Sequence, residues 1–121
     1  MSPSPTALLL TCTGALAEID LPFGRDGRSS ADRSAVLRAT LRCERFDVVA
    51  LTTQWDIWID DDGLHNHPVN AAATALARRF GFVFQLYHGP VLLTGGPDAE
   101  GNTLPLLKEQ VLGLLRTLQD I

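Results

Sequence analysis

Hydrophobic and polar positions alternate most strictly between Gln54 and Asp60, with Trp55, Ile57 and Ile59 on one side of an extended chain and Gln54, Asp56, Trp58 and Asp60 on the other. A period of two is the period of a strand, so the segment predicts one apolar face and one mixed face. Asp60-Asp61-Asp62-Gly63 ends it, because Asp tolerates tight turns and Gly63 is free to take a positive φ. Pro68 then stiffens the chain. Asn70 precedes a run of helix formers, where its side-chain oxygen can accept a first-turn N–H, a role Asp would fill equally well. The stretch from Asp56 to Asn70 thus holds a strand end, a turn and a helix start, and the rest of the chain is organised around it.

Before it, Ala7 to Cys12 reads as a buried strand, and Ala15 to Leu21 alternates so as to pair with it across a turn at Thr13-Gly14. Pro22 to Ser30 has no periodicity and ends at Ser30, a plausible helix cap; a helix should follow to about Arg42, with Val36, Leu37 and Leu41 on its apolar face. Phe46 to Thr52 is rich in apolar and β-branched residues and predicts a third strand. After Asn70, a helix from Ala71 to Phe80 should turn Ala72, Ala73, Leu76 and Phe80 inward and stop at Gly81. Phe82 to His88 fits strand or loop, Pro90 to Thr94 is a continuous apolar strand, and Leu107 to Leu118 carries an apolar stripe from which Leu106 and Leu112 stand apart. This order predicts an α+β fold: a mainly antiparallel sheet of about five strands with helices on one face, in one domain over residues 1–121 with a disordered start at 1–6.

Composition changes this picture little. With 121 residues, 45% hydrophobic and 20% charged, the chain can bury a sizeable core. No basic signal-peptide start and no run long enough to span a bilayer is visible, so a cytoplasmic protein with no membrane partner is expected. Cys12 and Cys43 lack metal-type spacing and read as small buried side chains. The net charge of -4 is uneven: up to Arg45 six Arg face five acids, and the remainder has four bases against nine acids. Arg38, Arg42 and Arg45 could touch nucleic acid, but an acidic chain without aromatic residues between its arginines argues for a solvated helix face instead.

One set of motifs points to a family. Trp58-Ile-Asp-Asp-Asp-Gly63-Leu64, Pro68-Val69-Asn70, Ala73-Thr74, Tyr87-His-Gly89-Pro90-Val91, Thr94-Gly95 and Gly101-Asn-Thr103-Leu104-Pro105-Leu106, taken together with their spacing, resemble the small bacterial and phage proteins of domain of unknown function 3846. The resemblance runs from about Phe46 to the end, and more loosely over the first hairpin. It carries no established activity; occurrence among actinobacteria and phages implies an accessory or mobile-element role. The chain departs from the pattern in His65-Asn66-His67, and in Leu107 where a Ser or Thr cap is expected.

The candidate chemistry is sparse. His65 and His67, with Asp60, Asp62 or His88, could form a divalent-metal shell, yet known metal motifs fix more ligands than this. The Asp run lacks the alternating acids of a calcium loop, Gly95-Gly96 is followed by no Lys-Ser or Lys-Thr, and no nucleophile elbow is present. No catalytic set, metal site or cofactor is therefore assigned. The preferred reading is a non-catalytic protein-binding or adaptor module whose binding residues are drawn from Trp58, Asp60, Asp62, His65, His67, Asn70, Tyr87 and His88. The alternative is a small metal-dependent enzyme or ligand-binding protein centred on His65, His67 and His88. A homodimer is expected as well, on the argument that Trp58, Leu106 and Leu112 would leave one apolar patch uncovered.

Overall fold

The computed structural model describes residues 6–121. The expected disordered start lies outside the described residues except for Thr6, whose carbonyl accepts the Leu106 N–H at 2.9 Å. Five strands form one antiparallel sheet: β1 (Ala7–Leu10), β2 (Leu16–Ile19), β3 (Phe46–Ala50), β4 (Trp55–Asp60) and β5 (Val91–Gly95), in the order β2-β1-β5-β4-β3. Two sequence-local hairpins therefore flank β5, which reaches the centre last in chain order. Its register sets Leu93 opposite both Leu8 and Ile57, and Trp58 opposite Leu92. The fold is α+β, as the pattern predicts.

The helices are α1 (Gly27–Leu41), α2 (Gly63–Asn66), α3 (Ala71–Arg79) and α4 (Lys108–Gln119). They divide between the two faces of the sheet, whereas the sequence pattern places them on one. Leu8, Leu10, Ile57, Val91 and Leu93 pack with Ala73, Leu76 and Ala77 of α3 and with Leu114 of α4. Ala7 and Leu92 turn the other way and pack with Leu21 and with Leu37 and Leu41 of α1. The physical reason lies in β5, where all five residues are buried. A strand apolar on both faces must be covered on both.

α1 starts earlier than Ser30 predicts. Asp26 is its N-cap, accepting Ser29 N–H at 2.9 Å, and the chain turns off at Arg42 in the left-handed region with φ 56°. The third strand ends at Ala50, short of Thr52, where the Thr52 hydroxyl accepts from the backbone of Gln54 and Trp55 and closes the hairpin to β4. At α4, Leu107 occupies the cap position and offers no side-chain acceptor to the first turn, but its own N–H donates to Gln110 Oε1 at 2.7 Å. Leu106 is buried in the core, Leu112 is exposed on α4, and Trp58 lies on the α1 face with its indole N–H donated to Thr94 Oγ1 at 2.8 Å. These three side chains do not meet, so they form no common patch for a twofold contact. Both cysteines are half-buried free thiols.

Asp56 stands out within the sheet. It is 6% exposed on the Trp58 face, and burial raises its carboxyl pKa from the ordinary value. The folded state thus holds this proton more tightly than the unfolded chain, so the contribution of Asp56 to stability is greatest below the ordinary carboxylate range and is lost as pH rises through the raised value. Asp56→Asn should therefore raise the melting temperature at neutral pH, with the gain disappearing below about pH 4. A thermal-melt series across that range checks both halves of the expectation.

Candidate functional site

The end of β4 is shaped by one carboxylate. Asp60 is buried; its Oδ1 accepts the Asp62 N–H at 2.8 Å, and its Oδ2 accepts the Asn66 side-chain amide at 3.1 Å. His67 Nε2 also lies 3.1 Å from Oδ2, off the direction of a hydrogen bond. Folding Asp62, Asn66 and His67 back onto one side chain bends the chain into α2, a single turn too short for hydrophobic periodicity to signal. Gly63 begins it without a positive φ, contrary to the sequence reading. It is required for space: a Cβ there would stand 2.9 Å from the His88 carbonyl oxygen. Gly89, with φ +84°, makes the reciprocal approach, since its Cβ would lie 2.7 Å from the His67 ring. The 60–67 turn and the segment before β5 thus pack backbone against ring.

Asn70 locks these pieces to α3 and to the sheet. Fully buried, it accepts the Ala73 N–H at 3.0 Å as the cap of α3 and donates to the Leu10 carbonyl at 3.0 Å and the Gly89 carbonyl at 2.9 Å. Its own backbone N–H donates to the Tyr87 carbonyl at 2.8 Å, and Thr74 Oγ1 accepts the Tyr87 N–H at 3.0 Å. The segment from Phe82 to His88 is accordingly a loop pinned at its end, with one isolated bridge from His88 to Val69. Tyr87 is buried, its hydroxyl has no hydrogen-bond partner among the described residues, and burial raises its pKa.

Between the turn and this loop opens a cleft of about 450 Å³ lined by Ile59, Asp61, Leu64, Phe84, Leu86 and His88, among others. Phe84 is fully exposed, and Leu64 and Leu86 are more than half exposed. Hydrophobic periodicity cannot reveal this loop, because its apolar residues follow no helical or strand period; the signal was the density of aromatic and apolar residues from Phe82 to Tyr87 itself.

The candidate binding residues are partly brought together. Asp60, His67, Asn70, Tyr87 and His88 form one connected cluster, with His88 Nδ1 3.1 Å from the His67 carbonyl oxygen. His65 points away into solvent, 3.9 Å from Asp62, and Trp58 faces α1, where it meets Phe46 edge-on at 5.8 Å between ring centroids. Among the described residues no group of three or more His, Cys, Asp or Glu side chains is placed to hold a metal ion. The three histidines do not converge: His67 is turned inward to Asp60, and His88 bonds to backbone.

The family model for this arrangement matches residues 14–119. The chain belongs to the family described as Domain of unknown function (DUF3846). The match reaches past the motifs that first suggest it and takes in β2 and α1. No curated protein and no solved structure matches the chain. No helix among the described residues is long and apolar enough to cross a membrane.

Asn70 yields a sharp test of this DUF3846 site. Only an amide offers one acceptor and two donors in this geometry, so the equivalence with Asp expected of a simple cap does not hold. Asn70→Ala removes two buried hydrogen bonds to backbone carbonyls and uncaps α3; Asn70→Asp keeps the cap but loses both donors and buries a charge facing carbonyl oxygens. Each should cost about 2–3 kcal/mol or more in urea unfolding, with Asp no better tolerated than Ala. A milder loss for Asp would show that the two donated bonds contribute little.

Proposed function

We propose that this protein is a non-catalytic protein-binding module that takes a short peptide segment of its partner into the cleft between the 60–67 turn and the 82–88 loop. The observation that carries this reading is Phe84, whose side chain stands wholly in solvent at the mouth of that cleft beside exposed Leu64 and Leu86. Isolated exposed apolar residues are ordinary, but three large ones around one concavity are the composition of a docking surface. Asp61 at the same rim is exposed, and among the described residues no Lys or Arg forms an ion pair with it. The fitting occupant is a peptide with an apolar anchor next to Lys or Arg, because an apolar pocket supplies affinity while an acidic rim selects charge.

The test is selection of a random displayed peptide library on the immobilised chain. Enriched sequences should combine a large apolar residue with a neighbouring basic one. Phe84→Ser and Asp61→Lys should each weaken a selected peptide by tenfold or more, since losing a central anchor or reversing a complementary charge typically costs over 1.4 kcal/mol. Neither residue supports the core, so melting temperatures should stay within about a degree or two of the parent. No enrichment, or peptides indifferent to both changes, would overturn the proposal.

A further inference from the structure

The opposite side of the 60–66 turn holds a second and larger cleft, of about 680 Å³, where the end of α1 meets the end of β4. Arg38, Arg42 and Arg45 line it together with Asp60, Asp62 and Asn66. The negative end of the α1 dipole favours cations and accounts for Arg38 and Arg42 near the helix terminus. It does not account for Arg45, which lies beyond the helix, or for three arginines lining one concavity.

Their bonding is equally telling. Arg38 is held in place, with Nε donating to the Glu44 carbonyl at 3.1 Å and the guanidinium carbon 5.7 Å from the centre of the Phe46 ring. Arg42 and Arg45 are exposed, and among the described residues none of the three forms an ion pair. This holds although carboxylates line the same cleft. The Asp60 oxygens are committed to Asp62, Asn66 and His67, so that charge is turned into the fold and away from the arginines. Asn66 spends a side-chain N–H on Asp60, which leaves its amide oxygen as an acceptor beside the exposed Asp62 carboxylate.

We propose that this cleft binds a small phosphomonoester that also carries hydroxyl groups, the chemistry of a sugar phosphate. Guanidinium forks match phosphate oxygens with paired, charge-assisted hydrogen bonds, and one fixed fork beside two unengaged ones surrounds such a group on several sides. Asp62 and the Asn66 amide oxygen on the facing wall accept hydrogen bonds from hydroxyls, which inorganic phosphate alone would not exploit. Glu44 and Asp62 at the rim, on a chain of net charge -4, repel an extended phosphate backbone while leaving room for a single phosphate. The ligand is therefore a small molecule rather than a nucleic acid, and this site stands apart from the peptide cleft.

Calorimetric titration of the full chain at low ionic strength, with ribose 5-phosphate, inorganic phosphate and ribose as probes, tests this directly. Ribose 5-phosphate should bind saturably, inorganic phosphate about tenfold more weakly, and ribose not at all. Arg42→Gln and Arg45→Gln should each weaken the sugar phosphate about tenfold without moving the melting temperature, because neither side chain supports the fold. Asp62→Asn should narrow the advantage of the sugar phosphate over phosphate. The proposal is overturned by the absence of saturable binding for both phosphate probes, by undiminished binding in the Arg42→Gln/Arg45→Gln double variant, or by a short DNA duplex that binds more tightly than the sugar phosphate with a steep dependence on salt.

Discussion

The architecture depends on one buried amide. Asn70 joins three segments far apart in sequence: the end of β1 through Leu10, the turn before β5 through Gly89, and the first turn of α3 through Ala73. Leu10 and Gly89 are brought close because β1 and β5 are neighbours in the sheet, where Leu10 pairs with Val91 at the end of the ladder. Two donors from one side chain tie that end to the turn before it. The same oxygen that caps α3 fixes the rotation of the amide, so the helix and the sheet edge define each other's positions.

That constraint explains why the 82–88 loop holds a shape without secondary structure of its own. Its end is anchored by the Asn70 N–H on Tyr87, the Thr74 hydroxyl on the same residue, and the contact between Gly63 and the His88 carbonyl. Phe84 and Leu86 project from a segment whose downstream anchor is rigid. Exposed apolar side chains on such a support lose little entropy on docking, which is how a small loop can recognise a partner.

Much of this was legible in the residues. β4 announces itself by its period of two, α3 by Asn70 and Gly81, and the first hairpin by its turn. The start of α1 was obscured because Gly27, a poor helix former, is its first residue and the paired serines behind it imitate a cap. The two-sided placement of helices was present in the unbroken apolar run of β5, but periodicity elsewhere pointed to a single covered face. Gly63 shows a subtler limit: glycine before a helix reads as a left-handed turn, whereas here the constraint comes from a carbonyl distant in sequence. Pairwise spacing likewise set His65 and His67 on one side of an extended chain. The intervening turn of α2 sends them apart.

The side chains of the two clefts differ in what they do for the fold. Asp60, Asn70 and Gly63, which form the wall between the clefts and its supports, are buried and bonded or pressed against backbone. Phe84, Leu64, Arg42 and Arg45, which form the rims, are exposed. Substituting the first group changes the shape of both clefts together with stability, so a functional loss there carries no assignment. The rim residues separate the two effects, because removing an exposed side chain alters what the surface can hold while leaving the buried network of Asp60 and Asn70 in place.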